Sequence, residues 1–283
     1  MKSAEAPQGF LQTIKWGAWS LLCLYLSLIS GIVVGIQYDV HEPFYSTSAI
    51  DILVPFGAWF RSLHFYTSQL FLFFALIHYL VVFKKSEHYD NRSFMLLVIC
   101  LPVILLLLFT GYVLRYDTTG FAAGMIAEHI IEAIPLVGSL LNRLLFSISD
   151  HGLQRVYLHH VCSFNLIFFM LAWEHLRRYP VRISQHLPFL AVVLGVCFLV
   201  SAPLDPETLG ITYITGPWFF LGLQELLRYL HPLVAGVLIP LSFLGGLLML
   251  RQNNPYFSLV LVFVCGWLAL YLLFSLFALT LHG

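Results

Sequence analysis

The sequence predicts an all-α integral membrane protein: seven transmembrane helices, arranged as a four-helix bundle plus three C-terminal helices, with additional helices on the outer surface. Three observations predict it. Of 283 residues, 60% are hydrophobic and only 10% charged, where a soluble protein would carry about 25% charged. The apolar residues fall in long runs, which places most of the chain in a bilayer. One run, LHFYTSQLFLFFALIHYL at 63–80, has an imidazole near each end, and histidine is costly in lipid unless something satisfies it.

The seven spans are Trp16–Tyr38, Phe60–Phe83, Ser93–Leu114, Val156–Trp173, Leu187–Leu204, Leu230–Leu250 and Phe257–Leu281. Each has roughly the 18–25 residues that cross a ~30 Å hydrocarbon core. The first run starts late and is too long for a signal peptide's apolar region, so no cleavable signal is expected. Basic residues set the orientation. With the N-terminus inside, Lys2, Lys15, Lys84, Lys85, Arg92, Arg177, Arg178, Arg182 and Arg251 are inner, and Arg61, Arg115, Arg143, Arg155 and Arg228 are outer. Ten of the fourteen acids fall outside, among them Asp39, Glu42, Asp51, Asp117, Glu128 and Glu132. This is ordinary topology bias or an acidic docking face for a basic electron-transfer partner; no nucleic-acid partner is expected.

Two connections are long, Arg115–Arg155 and Asp205–Tyr229, both outside. In the first, AEHIIEAIPLVGSLLNRLL predicts one or two amphipathic surface helices. The five cysteines (Cys23, Cys100, Cys162, Cys197, Cys265) all lie in spans without a Cys-x-x-Cys pair, which supports neither a disulfide framework nor a conventional c-type haem motif.

The histidines carry the chemistry. His64 and His78 are fourteen residues apart in the second span, so they project from nearly one face about 21 Å apart along the axis. His160 and His175 are fifteen apart in the fourth span, again roughly one face, with about 22 Å of rise. Both helices run outside to inside. His64 is therefore expected opposite His160 near the outer surface, and His78 opposite His175 near the inner one. Zinc is a poor fit to two nitrogens per level. Haem fits, because its macrocycle leaves two axial positions open. His159 competes with His160 but points about 100° away. Gly17 and Gly31, also fourteen apart, would let a porphyrin edge approach the first span, or they are ordinary small-residue helix contacts. Arg61 and Arg155 are placed to pair with propionates of an outer haem, or to snorkel to the interface.

At these residues the chain resembles the cytochrome b of bc-type quinol oxidoreductase complexes. The resemblance rests on Gly17 and Gly31 followed by GIQY, Arg61 before His64, both histidine pairs, TGYVLRYDTTGFAAG, EAIPLVG, Arg155 five residues before His160, GPWFFLGLQELLRYLHP and NNPY. It is most similar to the chloroplast-type cytochrome b fused to subunit IV. That resemblance implies a dihaem domain over residues 1–182 and a subunit IV-like domain over 183–283. It also implies two b-type haems held by His64 with His160 and by His78 with His175, and a quinone/quinol substrate. The expected setting is a homodimeric complex in the bacterial inner membrane, with membrane lipid and a Rieske-type or c-type/multihaem cytochrome as partners. In chloroplast-type relatives a cysteine matching Cys23 carries a third, covalently attached haem; the alternative is a buried free thiol.

The departures matter. The family's Pro-Glu-Trp-Tyr is Gly216-Pro217-Trp218-Phe219 here, and its Gly-Tyr-x-Leu-Pro-Trp is Gly111-Tyr112-Val113-Leu114-Arg115-Tyr116. Leu97 stands where the family has the glycine partner of Gly111, and Pro180 where mitochondrial forms have a histidine. Quinol oxidation needs a proton acceptor, so either Glu132, the best placed, or Glu225 is expected to substitute for the missing glutamate, with Glu128 and His129 as further candidates, or quinol oxidation has been lost. Two other readings stay open: a dihaem membrane anchor relaying electrons to a peripheral enzyme or multihaem cytochrome, and a haem-free transporter.

Overall fold

The computed structural model describes residues 14–83, 88–205 and 214–281. Lys2, Lys84 and Lys85 of the inner basic set lie outside the described residues, as does 206–213 of the second long connection. Among the described residues every regular element is helical: α1 (Trp16–Gln37), α2 (Pro43–Leu53), α3 (Gly57–Val82), α4 (Asn91–Leu114), α5 (Thr118–Glu132), α6 (Gly138–Leu145), α7 (Leu153–Arg178), α8 (Leu187–Leu199), α9 (Leu221–Leu226), α10 (Ile239–Met249) and α11 (Phe257–Leu281). Five of them, α1, α3, α4, α7 and α11, are long and apolar enough to cross a membrane. The expected fifth and sixth spans are shorter apolar helices, Ile183–Leu199 and Val234–Met249.

Their ends have local causes. The fifth span was expected to reach Leu204, but helix stops at Leu199 and Val200 is extended. Three α3 side chains hold the next residues: Arg61 donates to the Ala202 carbonyl (2.7 Å), the Ala202 N–H donates to Ser62 Oγ (2.8 Å), and Tyr66 donates to the Ser201 carbonyl (3.1 Å). Pro203 then disfavours helix at the residue before it. The sixth was expected from Leu230, but His231 Nδ1 accepts from the Leu233 N–H at 3.2 Å, and a π-helical turn over Val234–Leu238 precedes α10.

The chain divides into two compact units. One comprises Met1–Gln37, Ala49–Asp90 and His175–Ala202. In it α1 buries small residues, Ser20, Cys23, Ser27 and Ser30, along its contact with α3. Small residues let membrane helices approach closely, because packing and hydrogen bonds drive their association where lipid is as apolar as leucine. Ser20 Oγ donates to the Phe71 carbonyl at 3.1 Å. Helix α8 packs on the same pair: Phe189 stacks on Trp19 at 4.5 Å, and Leu63, Val193 and Cys197 form a buried cluster.

The other unit comprises Tyr38–Ser48, Asn91–Glu174 and Pro203–Gly283. Here the surface connection forms two helices, α5 and α6. Asp117 caps α5, its Oδ1 accepting from the Gly120 N–H at 2.8 Å. Arg115, which replaces the family's proline, donates to Asp117 and Asp205 and lies over the Tyr112 ring at 4.7 Å. That network fixes the α4–α5 corner. Phe109 of α4 meets Phe220 at 5.3 Å, and Tyr271 of α11 donates to the Phe219 carbonyl at 2.8 Å.

Candidate functional site

The site is built from histidines set against glycines. In the first unit α1 and α3 are antiparallel, so Gly31 meets His64 and Gly17 meets His78. A Cβ added at Gly31 would lie 2.8 Å from His64 Cε1, and one at Gly17 would lie 2.9 Å from His78 Cε1. Both are closer than real Cβ contacts, so only glycine admits the imidazole. In the second unit Gly111 of α4 does the same for His160, at 2.9 Å from Cε1. Gly111 was legible only through the family resemblance.

Three of the four rings, His64, His160 and His175, are oriented through Nδ1. His64 Nδ1 sits 2.8 Å from the Ser27 carbonyl oxygen. His160 Nδ1 sits 3.1 Å from the Leu107 carbonyl and 3.1 Å from Thr110 Oγ1. His175 Nδ1 sits 3.2 Å from the Tyr89 hydroxyl. A histidine that ligates iron through Nε2 carries its proton on Nδ1 and donates it to such a partner, which fixes tautomer and ring plane.

His78 and His175 come together within the first unit, ring centroids 6.0 Å apart and planes inclined by 56°. Iron–nitrogen bonds of about 2 Å, plus about 1 Å from each nitrogen to its ring centre, put trans imidazole centroids roughly 6 Å apart. The separation, the glycine cradles and the Nδ1 partners all fit a haem iron.

His159 is engaged elsewhere. Its Nδ1 lies 3.0 Å from Ser163 Oγ and its Nε2 3.1 Å from the Leu144 carbonyl oxygen. Both histidines start a π-helical turn, His159–Ser163, in which the Phe164 N–H reaches back to the His159 carbonyl. Asn165 Nδ2 donates to the His160 and Val161 carbonyls at 2.7 and 3.2 Å. In lipid, backbone groups loosened by such a turn need an internal partner.

The other candidates fall as follows. Arg61 is buried and engages Asp51 through both carboxylate oxygens, at 2.7 and 2.5 Å. Arg155 is exposed on α7. Cys23 is fully buried in α1. Glu128, a candidate acceptor, is a structural clamp: Asn142 Nδ2 (2.8 Å), the Ser149 N–H (3.1 Å) and Ser149 Oγ (2.7 Å) all donate to it. Burial pushes its carboxyl up, but these donors outweigh that and leave it below the usual range. Glu132 is exposed and accepts from Asn142 Nδ2 at 3.0 Å. Glu225 is buried on α9 and accepts from the Tyr229 hydroxyl at 2.9 Å. Pro217 is buried as well. Tyr89 was not singled out by sequence reasoning, because a tyrosine in the polar stretch HYDN carries no periodic signal.

Comparison with known proteins shows the family and the fold. Residues 1–179 match the family described as Cytochrome b/b6/petB. The cytochrome b of Bugula neritina is 25% identical over 278 residues, covering 84% of this chain and 76% of that protein. The cytochrome b6 of Heliomicrobium gestii is 28% identical over 152 residues, 51% of this chain and 71% of that protein. The fold is similar to a chain of a hyperthermophilic respiratory Complex III, with a TM-score of 0.70 at 18% identity over 95% of this chain and 85% of that one. With glycine-cradled histidines in an apolar helical bundle and a family match over most of its length, this integral membrane protein belongs to the b-type haem-binding cytochrome b/b6 family.

Proposed function

We propose that the chain is the dihaem cytochrome b subunit of a bc-type quinol oxidoreductase complex, carrying electrons across the membrane between quinone sites and a redox partner. His78 and His175 would hold the inner haem, and His64 and His160 the outer one. When bound, the haems supply one-electron transfer; the protein's own part is to orient the imidazoles, exclude water and handle protons. The observation that carries the reading is the glycine opposite each of His64, His78 and His160, since no ordinary helix contact needs an imidazole against bare backbone three times over. Arg61 and Arg155 are assigned to propionates, with Arg61 sharing its fork with Asp51. Residues 1–182 would form the dihaem part and 183–283 the subunit IV-like part, with α8 of the latter packed on α1 and α3. The N-terminus would face the cytoplasm of a bacterial inner membrane.

Proton release at the outer quinone site is assigned to Glu225 or Glu132. Glu225 has the better support. Gln224, its neighbour, accepts from the Gly216 N–H at 2.7 Å and donates to the Ile214 carbonyl at 2.7 Å, tying the segment before Pro217 to α9. A covalent third haem at Cys23 has the least support, since that thiol is 0% exposed; peroxidase staining of the denatured chain decides it. The proline at 217 favours a second reading, a dihaem relay without quinol oxidation.

The test has two stages. Pyridine haemochrome quantification should give two b-type haems per chain, and their absence would leave only the haem-free transporter. Quinol-driven reduction of the outer haem is then followed in the intact complex and in Glu132→Gln, Glu225→Gln and the double variant. Unchanged rates in all three variants would exclude both acids. No rate in the intact complex, with quinone still reaching the inner haem, would establish the relay.

A further inference from the structure

We infer that Tyr89 is a positioning residue that sets the inner haem apart from the outer one in reduction potential, by giving His175 a weaker hydrogen-bond acceptor than His64 and His160 have. The inference rests on the assignment of His175 as an inner-haem ligand.

The observation is an asymmetry among the Nδ1 partners. His64 and His160 face peptide carbonyl oxygens, Ser27 at 2.8 Å and Leu107 at 3.1 Å. His175 faces a phenol oxygen, Tyr89, at 3.2 Å. The second tyrosine, Tyr179, is 3.4 Å from Tyr89 Oη and its ring lies 5.1 Å from the His175 ring. Tyr89 and Tyr179 thus both pack against the His175 ring, their centroids 6.2 and 5.1 Å from it.

The chemistry follows from which atom holds the proton. With Nε2 on iron, Nδ1–H must donate, so the Tyr89 oxygen accepts. A strong acceptor draws the proton away from Nδ1, makes the imidazole more basic and favours ferric iron. A peptide carbonyl is a stronger acceptor than a phenol oxygen, whose lone pair is delocalised into its ring. Tyr89 therefore leaves His175 a weaker donor than His64 or His160, and the inner iron is easier to reduce. Electrons arriving at the outer level then run downhill to the inner one. The difference is built from two side chains that no ligand-spacing argument identifies.

Tyr89→Phe removes the acceptor altogether. Changing a ligand's hydrogen-bond partner typically alters metal affinity by about 10-fold or more, and a tenfold change in ferric-over-ferrous preference is about 59 mV for one electron. Redox titration of the purified complex, each haem followed by its α band and its electron paramagnetic resonance signal, should show the inner potential raised by about 59 mV or more. The outer potential should stay fixed, with two haems retained. Tyr179→Phe should move the inner potential by less. Two retained haems with an unmoved inner potential would overturn the inference, and so would a parallel shift of both potentials. If wild-type complex contains no bis-histidine inner haem, the ligand assignment fails instead, and haem quantification distinguishes the two failures. Should Tyr89→Phe fail to assemble, redox-difference infrared spectra of wild-type complex with 13C-labelled tyrosine decide. A tyrosine C–O band must respond to inner-haem reduction and persist in Tyr179→Phe; without that band the inference is wrong.

Discussion

Substituting one methyl group at Gly31 tests the glycine cradle at the outer level. The Cβ of Gly31→Ala would stand 2.8 Å from His64 Cε1 and 2.9 Å from Nδ1. Carbon atoms in good contact sit about 3.5–4.0 Å apart, so the ring must retreat by roughly 1 Å or the helices must separate. The ring is not free to retreat, because its Nδ1 is held 2.8 Å from the Ser27 carbonyl one turn earlier on α1. Overpacking of this kind costs about 1–3 kcal/mol, which is roughly 5- to 150-fold in haem affinity at 1.4 kcal/mol per factor of ten. Metal–ligand distances tolerate only about 0.2 Å, so the ligand field should change even where haem is retained. The assay is haem stoichiometry with low-temperature difference spectra on the purified complex. The outer haem should be depleted or spectrally shifted, while the inner one, cradled by Gly17, should be untouched. Gly31→Ala with both haems full and spectrally unchanged would refute the cradle, and loss of the inner haem alone would refute the pairing of levels.

His160→Ala should lose the outer haem, whereas His159→Ala should keep both, because His159 is spent on Ser163 and Leu144; a difference spectrum of each variant checks this. Arg61→Ala leaves the Asp51 carboxylate without its bidentate partner and frees the Ala202 carbonyl. Breaking a buried pair costs up to about 3–5 kcal/mol, and the partial exposure of Asp51 places this case at the lower end, read as a lower thermal midpoint in detergent. Glu128 predicts a pH dependence. Its folded pKa lies below its unfolded one, so its contribution is complete above the unfolded value and lost as pH falls through the folded one. Acid-side unfolding monitored between about pH 6 and 3 should therefore lose part of its slope in Glu128→Gln, and an unchanged slope would refute the clamp.

Ligand spacing was legible in the sequence because a helix has a fixed period: His64 and His78 share a face by arithmetic, and Gly17 and Gly31 share the same interval. The same count turned His159 away from the common face but did not show what holds it there. One residue is a 100° turn, and the partners that engage His159 lie on another helix or one turn further along. Helix α8 stopped early for a similar reason, since Arg61, Ser62 and Tyr66 of a distant segment hold its continuation extended. Glu128 looked like a free acid on a surface helix until Asn142 and Ser149 folded back onto it. Local periodicity thus exposed the spacing of the histidines and glycines, while the contacts made by residues remote in sequence stayed hidden.

The π turn at His159–Ser163 means that residue count and depth in the bilayer are separate quantities in this helix. Fifteen steps of regular helix would swing His175 about 60° past alignment with His160. Absorbing one residue in a wider turn brings the effective spacing back to the fourteen found between His64 and His78. An insertion that would otherwise have rotated every following side chain is confined to one turn and stapled by Asn165. A helix with such a turn can therefore hold one more residue between two points of fixed depth than a regular helix does, so the one-residue difference between the His64–His78 and His160–His175 intervals does not imply a different spacing in depth.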